Sequence, residues 1–327
     1  MTLSRQVEIS SLPHSVSEQQ AIELCYRDHI QSVVHRLSAG YKVLIRCEKG
    51  MNAFLFPLLR KRLKRSELEY QVRLIDGRAQ GHPDSEEARN TSGRVPEMLK
   101  QITEFMRGGI SDQEIAFMTH LDVLSTTRTS LSPEGKEVIP LLYEHPRARF
   151  CAFVDPSFPL PQSLTDVFDV HVELSGLHRE SLPALITQRE ARALHHLHFD
   201  PYALYPYVSG LSALKARRLL STLTLRPEAS PLSLNSGIES LRSLREHTAS
   251  HIDGVELPRV DLQSDIAGYE SLKERVQSEL IDLALARHRL TSPSEIELAE
   301  SLTPKGALFY GPPGTGKTFF AKAIATS

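Results

Sequence analysis

Residues 306–327 read GALFYGPPGTGKTFFAKAIATS. Within them, Gly311-Pro312-Pro313-Gly314-Thr315-Gly316-Lys317-Thr318 fits G-x-x-x-x-G-K-[ST] at every position. The apolar run Ala307 to Tyr310 predicts a buried strand before this loop, and Phe319 to Ala325 predicts a helix after it. Glycines at three positions let the backbone turn so that successive N–H groups face an anion. The helix beyond adds the positive end of its dipole. Lys317 is expected to be the catalytic cation that reaches the β- and γ-phosphates, and Thr318 to place its hydroxyl on Mg²⁺. Gly311 through Phe319 are thus the expected contacts for ATP or ADP. A chance Gly/Pro-rich turn would not put all eight positions in register with both flanks correct.

The helix shows no C-cap glycine, basic last turn or proline stop before Ser327, and no acidic strand end follows to hold the metal. Ser327 is therefore read as a cut through a longer protein. The fragment alone is expected to bind nucleotide without turning it over.

The 327 residues leave room for about two domains. An apolar fraction of 40% and a charged fraction of 24% are ordinary for soluble globular protein. The formal net charge of -2 gives no bias towards nucleic acid or an anionic membrane. Residues 1–15 are too polar for a signal peptide, and no apolar run approaches spanning length. Cys25, Cys47 and Cys151 have no paired spacing, which suggests buried thiols in a reducing, cytoplasmic setting.

Taken in order, Ser17-x-x-Gln20 has the form of a capping box, and Ile22, Tyr26, Ile30, Val33 and Leu37 recur at helical spacing up to Gly40. Val43 to Cys47 predicts a strand, and Phe54 to Leu63 a helix that ends in the basic run Arg60 to Arg65. That run is read as a solvated helix end whose cations complement the dipole, because no aromatics interleave it. Further strands are expected at Gln71 to Ile75, Ile115 to Met118, Phe150 to Val154 and Val170 to Leu174. A polar loop over Asp76 to Arg94 and a helix from Pro96 to Gly108 lie between. Short apolar strands alternating with helices imply an α/β fold, a parallel sheet with helices on both faces. From Pro183 to Leu225 the chain reads as a small helical subdomain. Its His195 and His198 are spaced i,i+3, but with only Asp200 nearby a surface role is favoured over metal binding.

Two stretches resemble AAA+ ATPases with tandem modules. Asp265-Ile266-Ala267-Gly268, an amphipathic helix (Leu272, Val276, Leu280, Leu283) and the GPPGTGKT loop follow one another as in that family. The resemblance implies that Asp265 to Gly268 hold the adenine. The first domain resembles the same module with its chemistry erased. With Cys47 set against Tyr310, Glu48 to Leu55 fill the phosphate-loop slot, Phe54 replaces Lys317 and Leu55 replaces Thr318. Thr119 and His120 stand where the family's acidic strand ends, and Val167 stands at the arginine-finger position. Phe153-Val154-Asp155 sits at the sensor, and Val208 to Ser212 resemble the turn of the helical lid. The helical linker from about Ser230 to Val260 is similar to a bacterial and plastid group with one inactive and one active half.

The implied division is a polar tail at 1–14, a degenerate α/β subdomain at 15–188, its helical lid at 189–228, a linker at 229–262 and part of a second module at 263–327. The expected function of the intact protein is Mg-ATP-driven remodelling of proteins or complexes in a self-associated ring, with an unidentified protein substrate or adaptor. Alternatives are a non-enzymatic scaffold, and the motor of a metalloprotease, although no H-E-x-x-H occurs in the chain. No membrane or clear nucleic-acid partner is expected.

Overall fold

The computed structural model describes residues 7–66, 68–78, 94–108, 111–125, 130–194, 201–224, 260–289 and 293–326. The contacts divide the chain into two units, one of residues 13–185 with 210–218, the other of residues 1–12, 186–209 and 219–327.

The first unit is built on five strands: β1 (Val43–Arg46), β2 (Gln71–Ile75), β3 (Glu114–Met118), β4 (Arg149–Val154) and β5 (Val170–Glu173). They form one sheet in the order β2-β3-β4-β1-β5. Every pairing is parallel. Because side chains alternate across a strand, each strand feeds two cores. Leu44, Ile75, Ala116, Met118, Phe150, Ala152 and Val154 join a buried cluster with helices α4 (Arg94–Arg107) and α5 (Pro133–Glu144). Their neighbours Val43, Ile45, Ile115, Phe117, Cys151 and Phe153 are equally buried on the other face. There the cover comes from α1 (Glu18–Cys25), α2 (Arg27–Ser38) and α3 (Asn52–Lys64). The parallel α/β architecture expected from the strand–helix alternation is therefore present.

Local signals account for most boundaries. Ser17 forms both halves of the capping box with Gln20, at 2.9 and 3.2 Å. The single helix expected from Ile22 to Leu37 is two, broken at Tyr26, whose hydroxyl donates to the Gly176 carbonyl at 3.3 Å and accepts from the Ala213 N–H at 3.2 Å. Helix α5 has no counterpart among the sequence expectations, although Ser132 caps it and Pro133 opens it. Pro140 inside it masked the period. All three cysteines are buried free thiols.

In the second unit, α6 (Glu270–Val276) continues through a π-helical turn at Gln277–Ile281. The expected apolar stripe is kept in part: Val276 packs on a buried cluster and Leu280 and Leu283 are half-buried, but Leu272 is exposed and Lys273 is buried. The last helix, α7, spans Lys317–Thr326, so it opens two residues before the expected Phe319. The strand expected at Ala307 to Tyr310 does not form. Leu308 and Tyr310 are 88% and 90% exposed. No strand pairs with this segment among the described residues, and an isolated strand leaves its backbone groups to water. The linker expectation (230–260) and the histidines at 195 and 198 fall almost wholly outside the described residues.

Candidate nucleotide site

The loop Gly311 to Gly316 is an exposed arch between the extended segment and α7. Gly311, Gly314 and Gly316 have φ of 149°, 82° and 75°. Those values lie where L side chains are strained, which is why glycine is needed. Such alternation turns N–H groups into a concavity for an anion. Lys317, at the head of α7, folds back over the arch. Its Nζ donates to the carbonyls of Gly311 at 3.0 Å and Pro312 at 2.6 Å. Thr315 Oγ1 also donates to the Pro312 carbonyl, at 2.9 Å. The ammonium thus holds the loop's own oxygens, and a phosphate would exchange those neutral acceptors for charged ones. Thr318 and Phe319 are exposed beside it, as are Pro312 and Pro313.

Beneath the loop, Phe320 and Ala323 of α7 are buried in a small cluster with Leu262, Ile266 and Ile281. Phe309 packs on Phe320 with ring centroids 6.1 Å apart. Ile266 therefore brings Asp265 to Gly268 against the helix that the phosphate loop opens. Asp265 accepts from the Asp261 N–H at 2.9 Å, and Gly268 and Tyr269 follow with φ of 74° and 60°. These two turns join residues some fifty positions apart in sequence, and the Ile266 side chain is committed to that packing.

The loop after β1 has a different build. Lys49–Met51 form a 3-10 turn that runs directly into α3, and no residue from Glu48 to Leu55 has positive φ. Met51 and Leu55 are buried. Lys49 pairs with Asp122 at 2.6 Å, and its N–H donates to Asp155 at 3.3 Å. Asn52 donates to the Thr119 carbonyl at 2.9 Å. The ends of β1, β3 and β4 are thus tied to one another by protein groups. His120 sits among Arg94, Lys49, Asp122 and Asp76; burial above all, with Arg94 and Lys49, holds its pKa below the ordinary value. Phe54, set against Lys317 by sequence, is half-buried on α3. Val167 is buried in the core and offers no cation. Sequence reading missed Glu48, which accepts from Ser212 at 2.6 Å and pairs with Lys215 at 3.2 Å. Nothing in the spacing could have paired residues so far apart. Among the described residues no cluster of His, Cys, Asp and Glu could hold a metal, and no helix is long and apolar enough to cross a membrane.

Residues 307–327 match the family model described as ATPase family associated with various cellular activities (AAA). These residues are similar to the AAA ATPase family. Similar proteins include peroxisomal ATPase PEX6 of Candida glabrata, 32% identical over 41% of this chain and 12% of that protein. A proteasome-activating nucleotidase of Methanocella arvoryzae is 39% identical over 27% of this chain and 19% of its own length. The zinc metalloprotease FtsH of Aster yellows witches'-broom phytoplasma is 48% identical over 19% of this chain and 8% of its own. The chain spans less than a fifth of each of these AAA relatives.

Proposed function

We propose that Gly311 to Phe319 bind Mg-ATP, with Lys317 on the β- and γ-phosphates, Thr318 on the metal and the Asp265 to Gly268 backbone at the adenine. In the intact protein this site powers the remodelling of proteins or protein complexes, in a cytoplasmic ring. Residues 15–188 form a module that keeps the fold without the site and serves for docking, residues 189–228 act as its lid and 263–327 belong to the motor. The observation that carries this reading is the contrast between two loops. One has three glycines with positive φ around an inward lysine. The other is a compact 3-10 turn filled by Met51 and tied down by Lys49 and Asn52. Only the first has room and polarity for a triphosphate.

The test is binding of a fluorescent ATP analogue, with and without Mg²⁺, to the wild-type chain and its Lys317→Ala and Thr318→Ala variants. Binding abolished by Lys317→Ala, and made insensitive to Mg²⁺ by Thr318→Ala, is the expected result. Binding that survives Lys317→Ala would place nucleotide in the first unit and overturn the reading.

A further inference from the structure

Strand β2 is an edge of the sheet: it pairs with β3 and, among the described residues, with nothing else. The Gln71 N–H donates inward to the Gln113 carbonyl at 2.8 Å. By alternation along a strand, the N–H and C=O groups of Val72 and Leu74 point outward from the free edge. Such a row of unused donors and acceptors is a template for another strand, and folded proteins ordinarily blunt it.

Here, among the described residues, the edge is open and has a groove of about 370 Å³ beside it. Phe56 of α3 and the half-buried Val72 and Leu74 supply an apolar floor. Val72 and Leu74 stand in register with Ile115 and Phe117 of β3, so they share the α3 face. Phe56 is fixed edge-on against Phe117, with centroids 5.5 Å apart. Among the described residues Arg60 and Arg73 line the rim, with Glu114 the one acidic residue there, and Arg73, in register with Ala116, leaves the strand on the face opposite Phe56. Among the described residues neither arginine has a carboxylate partner, although Arg62 on the same helix pairs with Glu23 at 3.0 Å. Phe56, Arg60 and Lys64 lie four residues apart, so one stripe of α3 runs from apolar to basic.

We propose that this edge and groove dock an extended, acidic segment of a partner protein, which adds to β2 as a sixth strand. Main-chain hydrogen bonds to Val72 and Leu74 give the pairing, as in other strand-addition complexes. An apolar side chain enters the groove over Phe56, and a carboxylate two residues along meets the Arg60 guanidinium, whose fork matches it bidentately. A nucleic acid would use the cations but neither the apolar floor nor the strand edge. The inference does not depend on nucleotide binding at Lys317, because the groove lies wholly in the other unit.

The probe is a displayed library of random short peptides selected on the intact chain, with the recovered peptides resynthesised and titrated by fluorescence anisotropy. Expected peptides alternate apolar with Asp or Glu. Arg60→Glu should weaken them roughly tenfold or more, the usual scale for reversing one charged contact. Val72→Pro should do the same by removing an outward donor, a change that an edge strand tolerates. Lys317→Ala should leave them unchanged. Circular dichroism and thermal melting of Arg60→Glu and Val72→Pro verify the fold. Recovery of no peptide, peptides without acidic residues, affinity indifferent to Arg60→Glu in a folded variant, or displacement by a single-stranded oligonucleotide would each overturn the proposal.

Discussion

The carboxylate of Glu48 accepts a 2.6 Å hydrogen bond from the hydroxyl of Ser212, 164 residues further along the chain. Its other oxygen pairs with Lys215 at 3.2 Å. Ser212 also accepts from the Lys215 N–H at 3.3 Å, so it caps the helix Ala213–Ser221 while holding the loop. A protein carboxylate thus joins the β1 loop to a following helix. Glu48→Ala should lower stability by about 1 kcal/mol, a value kept small by the partial exposure of both charges. Nucleotide affinity should stay unchanged. Urea unfolding alongside the fluorescent-analogue titration checks both.

The two loops should respond differently to the same small substitution. Gly314 has φ of 82°, and a methyl group added there would meet nothing within 4 Å, so Gly314→Ala strains only the backbone. It should cost about 1 kcal/mol or a little more in the loop and weaken the ATP analogue markedly. Gly50 has an ordinary φ, and a Cβ there would meet Leu214 at 3.1 Å, a flexible side chain. Gly50→Ala should leave nucleotide affinity unaltered. Equal loss in both variants would contradict the assignment of the site.

Phe320 holds the phosphate-loop helix onto Leu262, Ile266 and Ile281. The cluster is small, so one large residue carries much of its buried apolar area. Phe320→Ala should cost about 3 kcal/mol locally. Hydrogen exchange over residues 260–326 should rise sharply, and exchange across β1 to β5 should not.

His120 makes stability depend on pH in a defined direction. Its folded pKa lies below the ordinary 6.5, chiefly through burial and then through Arg94 and Lys49. A histidine depressed in this way binds protons more readily when unfolded. Its contribution is fully present above about 6.5 and is lost as pH falls through the lower, folded value. The carboxylates of Glu18 and Asp155, also depressed, act in the same direction further into acid, below their ordinary 4.5 and 3.8. Melting temperature should therefore fall between pH 7 and pH 5, and His120→Gln should flatten that slope. An unchanged slope would show that another group titrates there.

How much was legible in the chain depends on the range of the interaction. Each of the five strands was readable to within a residue or so: β1, β3 and β4, buried on both faces, are short apolar runs, while the edge strands β2 and β5 place Val72 and Leu74, and Val170 and Val172, at alternate positions. The phosphate loop was readable because its glycines and lysine are demanded by local backbone geometry. Helix α5 was not expected, since Pro140 interrupts its period. The run Ala307 to Tyr310 reads as a strand by composition, yet it stays unpaired and exposed, because strand formation needs a neighbour and composition does not supply one. Phe56 and Arg60 read as part of a solvated helix, and the free edge of β2 beside them became visible only through strand order.

By itself, then, the sequence determined the five strands and most helices of the first unit, the G-x-x-x-x-G-K-[ST] pattern at 311–318 and its loss at 48–55, where Glu48, Met51, Ala53 and Phe54 stand in place of the three glycines and the lysine. These depend on residues within one turn or one strand of each other. Tertiary structure alone decided that β2 is an edge, that Glu48 meets Ser212, that Ile266 buttresses the helix of Lys317 and that Met51 fills the first loop. Each of those depends on chain crossings that join distant residues, and no local propensity encodes which partners will meet.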